Sequence, residues 1–154
     1  MPRQKTPEKQ LDEMIARFTP EIANLARGAL AKMHKRLPGA LQLVYDNYNA
    51  LAIGFSPTER ASHGIFSIAI WPRKVRLFFL KGKGLPDPHR LLEGSGNVVR
   101  SITLEDASDL DNPALQELMK RALERADPPL DETPTELIVI KSIAPTQRPR
   151  RPAK

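Results

Sequence analysis

Cysteine is absent from the chain, which excludes disulfides, thiolate zinc sites, cysteine-held iron–sulfur clusters and cysteine nucleophiles. Aromatic residues make up only 5% of the 154 positions, so Trp71 and Phe79 are expected in the interior before they are expected at a surface. Histidine is scarce too. His34, His63 and His89 are widely separated, none has a second histidine at helical spacing, and no metal site is assigned to them. No strongly apolar run continues beyond about ten residues, well short of the roughly 20 that span a bilayer. The opening Met1–Gln10 is polar with no apolar run behind it, so neither a leader peptide nor a membrane partner is expected, and the default location is the cytoplasm.

Catalytic signatures are missing as well. Ser56, Ser62, Ser67, Ser95 and Ser101 stand outside any Gly-x-Ser-x-Gly elbow, and neither the phosphate loop ending in Gly-Lys-Ser/Thr nor the Gly-x-Gly-x-x-Gly dinucleotide fingerprint occurs. Asp46, near Tyr45 and Tyr48, and Glu93, near Gly94, have no base or nucleophile paired with them in the sequence. No catalytic residue is assigned, and a non-enzymatic ligand- or partner-binding domain is expected.

What is present is an ordinary core-forming composition, 40% hydrophobic and 27% charged, on a length that suits one domain. The formal charge is +6 and is unevenly placed. Lys141 to Lys154 carries five basic residues and no acidic one, whereas residues 1–140 are nearly balanced, with 19 basic against 18 acidic. Within that body, Arg60 to Arg100 holds eight basic and two acidic side chains, and Glu105 to Glu136 holds three basic and ten acidic ones. Such separation either steers an acidic partner or compensates itself when the segments pack together.

The pattern along the chain predicts an α+β domain over residues 1–146, with two N-terminal helices, an antiparallel or mixed sheet and one late helix. Thr6-Pro7-Glu8 and Thr19-Pro20-Glu21 are helix starts, followed by apolar residues at helical spacing, and Pro38-Gly39 ends the second helix. Leu41–Tyr45, Ala50–Phe55, Ile65–Trp71, Val75–Leu80, Val98–Leu104 and Glu136–Ile143 are expected strands, with Trp71-Pro72-Arg73-Lys74 as a hairpin turn. Asp109 or Asp111 is expected to cap the late helix before Pro113. Residues 147–154 have nothing obvious to bury and are expected to form a flexible basic tail. An uncovered apolar sheet face would make a homodimer a natural assembly.

Two clusters are candidates for binding. Lys81-Gly82-Lys83-Gly84 with Gly94-Ser95-Gly96 offers glycines and cations to a small anion or a protein, with Lys81, Lys83, Asp87, Glu93, Ser95 and Arg100 as the side chains concerned. The same residues suit a structural clamp in which Asp87 caps a short turn through Leu91-Leu92 and Arg100 reaches back to Asp87 or Glu93. The second cluster is the tail, whose Arg148, Arg150, Arg151 and Lys154 are candidate nucleic-acid contacts. Trp71, Phe78 and Phe79 beside Arg73, Lys74 and Arg76 add rings that could stack on bases, with core packing as the competing role.

Pro38-Gly39-Ala40, the strand pair around Trp71, and Lys81-Gly82-Lys83-Gly84-Leu85-Pro86-Asp87-Pro88 followed by Leu91-Leu92-Glu93-Gly94-Ser95-Gly96 and Val99-Arg100 resemble the YdhG-like domain family over roughly Phe18 to Ala126. The resemblance implies a compact α+β domain with antiparallel strands and flanking helices. Some relatives are described as iron-binding chaperones, so it also implies iron as a cofactor, with the acidic residues between Glu105 and Glu136 as the hard-metal surface. The Tyr45–Asn49 stretch departs from the family pattern by lacking a proline, and Asn97 stands where a lysine is common. An iron-binding chaperone and a nucleic-acid-associated protein using the basic tail are thus the two rivals of the general binding domain.

Overall fold

The computed structural model describes residues 5–152. Thr6 caps the first helix, α1 (Pro7–Ala16), by accepting from the Lys9 amide at 3.1 Å, and Thr19 does the same for α2 (Pro20–Arg36) through the Ile22 amide at 3.4 Å. In both, a proline occupies the first turn, where its missing N–H costs nothing. Lys35 and Arg36 sit at the negative end of α2, and Leu37 closes it just before Pro38.

Four antiparallel strands follow as a meander: β1 (Leu41–Asp46), β2 (Leu51–Ser56), β3 (Phe66–Trp71) and β4 (Lys74–Phe79). A long loop leads to β5 (Arg100–Leu104), antiparallel to β4, then α3 (Pro113–Arg125) and finally β6 (Ile138–Ile143), parallel to β1. The resulting order β5-β4-β3-β2-β1-β6 makes a mixed six-stranded sheet. No helix among the described residues is long and apolar enough to cross a membrane.

Side-chain alternation divides the sheet into two unlike faces. Val44, Ile53, Ile68, Leu77 and Ile102 form one cross-strand row. Beside it runs the row Asp46, Leu51, Ile70, Val75 and Leu104. The buried residues of all three helices, Leu11 and Met14, Ala26 and Met33, Leu115 and Leu118 among them, join this face in one core. The opposite face carries Tyr45, Ala52, Ala69, Arg76 and Thr103 in one row and Leu43, Gly54, Ser67, Phe78 and Ser101 in the next.

Three local expectations are corrected. β5 begins at Arg100 rather than Val98: β4 ends at Phe79, opposite Arg100, so Val98 and Val99 have no strand to pair with and stay exposed. β6 begins at Ile138, leaving Leu137 exposed. Asn112, not Asp109 or Asp111, caps α3 through the Ala114 amide, because Asp106 and Asp109 are engaged in a capping box around the short 3₁₀ turn Ala107–Asp111.

Candidate nucleic-acid interface

The loop between β4 and β5 carries Lys81, Lys83, Asp87, Glu93, Ser95 and Arg100, and it is held from within. The Asp87 carboxylate accepts the Leu91 and Leu92 amides at 2.9 and 2.8 Å, as expected of a capping residue, although no helix follows. Arg125 of α3 donates to the carbonyls of Lys81 and Lys83, and Gly84 and Gly94 take left-handed φ values of 83° and 120°.

The expected bridge from Arg100 to Asp87 or Glu93 does not form. Arg100 donates to the Gly96 and Val99 carbonyls at 2.7 and 2.8 Å, while Glu93 pairs with Arg76 at 2.8 Å. Strand alternation explains the exchange: Glu93 is bridged to Ser101 and so shares a face with Arg76, whereas Arg100 belongs to the opposite row. Lys81, Lys83 and Ser95 are exposed and do not converge on a cavity of ligand size. Among the described residues, two hollows touch this loop, one lined by Lys81 and the other by Asp87, and hold only about 60 Å³ each, against roughly 300 Å³ for a small-molecule pocket.

At the other end of the sheet, the β1–β2 turn, the β3–β4 turn and the segment after β6 meet around an open groove of about 930 Å³. Trp71, Arg73 and Lys74 line it from the hairpin, Asn49 from the neighbouring turn, and Arg148 and Arg151 from the last segment. The lining holds four cations and no carboxylate. Among the described residues none of these four makes an ion pair. Two rings accompany them: Lys74 Nζ lies 4.9 Å from the Trp71 ring centre, and the Arg148 guanidinium lies 5.6 Å from that of Tyr48, which is 48% exposed. Trp71 is therefore only half-buried at the groove, while Phe79 is a core residue.

The segment after β6 corrects the expectation that it has nothing to bury. Arg150 is buried, its guanidinium 2.8 Å from the equally buried Asp46 carboxylate. It also donates to the carbonyls of Asn47 at 2.6 Å and Tyr48 at 3.4 Å and lies 5.8 Å from the centre of the Phe18 ring. Asp46 explains this burial. As the last residue of β1 it points to the core face, where a carboxylate requires a cation, and Arg17 approaches it only at 3.7 Å. Gln147 adds bonds to Arg17 and to the Asp46 carbonyl, and the Arg148 amide donates to the Tyr48 carbonyl. Of the predicted nucleic-acid contacts, Arg148 and Arg151 thus reach the groove, Arg150 is spent inside the fold, and Lys154 lies outside the described residues.

Sequence reasoning missed Asp46 as an anchor, although strand alternation with Val44 already aimed it at the core. It named Arg73, Lys74 and the tail separately and had no means of joining them. Among the described residues no three His, Asp or Glu side chains gather as a metal-binding group. Comparison with family models, with curated proteins and with solved structures found no match.

Proposed function

We propose that this protein binds single-stranded nucleic acid in the groove at the turn end of the sheet. The observation that carries the proposal is the convergence of Arg73 and Lys74 with Arg148 and Arg151, from segments far apart in sequence, on one cavity without a carboxylate. Like charges gathered without counter-ions repel one another, and a polyanion relieves that repulsion while releasing its own condensed counter-ions. Trp71 and Tyr48 add ring faces beside those cations, an arrangement in which a ring takes a base and the cation its phosphate. Rings of this kind favour single strands, because the bases of a duplex are already stacked on one another.

The test is fluorescence anisotropy with labelled single-stranded RNA and DNA of about ten nucleotides, a length set by the usual span of such grooves. Saturable binding at low salt is expected, with unlabelled single strands competing better than the corresponding duplex. Arg73→Ala/Lys74→Ala and Arg148→Ala/Arg151→Ala should each weaken it, whereas Lys81→Ala/Lys83→Ala should not. Absence of binding at low salt, or equal binding by all three double variants, defeats the proposal.

A further inference from the structure

We infer that Asp46 and Arg150 form a latch that positions the segment after β6, so that the charges of Arg148 and Arg151 are held at the groove rather than merely present in the chain. The inference rests on the nucleic-acid reading for its binding consequence, but its structural half can be measured without any ligand.

The geometry assigns the three arginines different tasks. Arg148 and Arg151 line the groove, while Arg150, between them, turns inward to a carboxylate with 3% of its side chain exposed. The other bonds of the segment involve no second carboxylate: the Arg148 amide donates to the Tyr48 carbonyl, the Gln147 side-chain amide donates to the Asp46 and Ala144 carbonyls and accepts from Arg17, and Arg150 donates to the Asn47 and Tyr48 carbonyls. Arg151 Nε donates to the Arg17 carbonyl at 3.2 Å. The Asp46–Arg150 pair is thus the one buried ion pair fastening the segment among the described residues, and it joins the end of β1 to residues that follow β6. Beyond β6 the described segment enters no further helix or strand. In Asp46→Asn the carboxylate is gone and release of the segment carries the Arg150 guanidinium to water, so no charge is left stranded in the core, which is the usual reason that breaking a buried pair is strongly destabilising. Asp46→Asn should free the segment and leave the domain folded.

Docking of the segment and binding of the strand are then linked. A ligand that contacts Arg148 and Arg151 favours the latched state, and the latched state favours the ligand by the same factor.

Limited trypsin digestion reads the latch directly. Arg148 and Arg151 each precede proline, which blocks cleavage, so Arg150–Arg151 is the susceptible arginine bond of the segment. Trypsin must take the Arg150 side chain into its specificity pocket, and that side chain is buried. Slow cleavage after Arg150 is expected in the wild type, slower still with a saturating single-stranded oligonucleotide, and fast cleavage in Asp46→Asn with an unchanged circular dichroism spectrum. Asp46→Asn/Arg150→Ala, which removes both charges of the pair together with the trypsin site, serves as the second variant and is followed by circular dichroism and anisotropy. Both variants should bind as weakly as Arg148→Ala/Arg151→Ala although Arg148 and Arg151 are intact, and Asp46→Asn should cost nothing more when added to that double variant. Equal cleavage of wild type and Asp46→Asn overturns the latch. Fast cleavage with unaltered affinity overturns the positioning role while leaving the groove in place. A wild type that resists trypsin but binds no oligonucleotide removes the groove reading, and the positioning role with it, and retains the latch only as a structural tie.

Discussion

Salt dependence offers the most quantitative check on the groove, because the number of cations lining it sets the slope. Single-stranded nucleic acid releases about 0.7 counter-ion for each phosphate neutralised. With the four groove cations engaged, a plot of log affinity against log salt should have a slope of about −2.8. Raising salt from about 50 to about 200 mM should then weaken binding roughly 50-fold. Arg73→Ala/Lys74→Ala leaves two cations, which lowers the slope to about −1.4 and the same salt step to roughly sevenfold. The assay is anisotropy with one oligonucleotide over a series of salt concentrations, repeated for Lys81→Ala/Lys83→Ala, whose lysines lie at the opposite end of β4. That control should keep the wild-type slope. A slope that does not change on removing Arg73 and Lys74, or one that falls equally with Lys81 and Lys83, refutes the assignment of phosphate contacts to this groove.

Three further predictions concern the scaffold. The Tyr45 hydroxyl is buried without a hydrogen-bond partner among the described residues, and burial pushes its pKa up; Tyr45→Phe should therefore stabilise the domain by about 1 kcal/mol in denaturant unfolding, and a loss of stability would mean that the hydroxyl is bonded. A Cβ at Gly39 would collide with the Asp131 carbonyl group, which backbone must yield to relieve, so Gly39→Ala should lower stability by about 2 kcal/mol or more, measured by thermal unfolding; an unchanged melting temperature would show that the 131–133 segment moves freely. Asp111 accepts from Lys32 and Arg36 at 2.7 Å, and the Lys32 bond leads in holding its carboxyl below the usual range. A carboxyl lowered in the folded state stabilises it above its unfolded pKa of about 3.9 and ceases to do so as the pH falls through the lowered value. Wild type should consequently exceed Asp111→Asn in stability near neutral pH, with the two curves converging below about pH 4; parallel curves would contradict the linkage.

The helices and strands were readable because each announces itself locally. Thr6-Pro7 and Thr19-Pro20 combine a side-chain acceptor with a residue that lacks the amide it would otherwise need to satisfy, and both cap as that chemistry requires. Phe66, Ile68 and Ile70 alternate with Ser67 and Ala69, and the sheet buries them on its core face as the alternation dictates. The sequence pattern does not say where a strand stops when its partner stops. Val98 and Val99 have every local property of β5, yet β4 turns away at Phe79 and leaves them exposed. Nor does local pattern report that β6 returns parallel beside β1, which is a property of the path taken by the connection through α3.

The groove was hidden for a related reason. Its charges come from the β3–β4 hairpin, Arg73 in the turn and Lys74 at the start of β4, and from a segment that composition marks as solvated, and nothing in either stretch refers to the other. What joins them is one carboxylate at the end of β1. Asp46 occupies a core-facing position that a strand of this pattern would ordinarily give to an apolar residue, and a lone charge there would cost several kcal/mol. A proline-flanked arginine from beyond β6 satisfies it. With Arg150 turned inward, the neighbouring Arg148 and Arg151 line the groove together with Trp71 and Arg73. A buried charge in an otherwise apolar row is thus the feature of the sequence from which the site follows: it demands a distant cation, and the segment that supplies one brings two more with it.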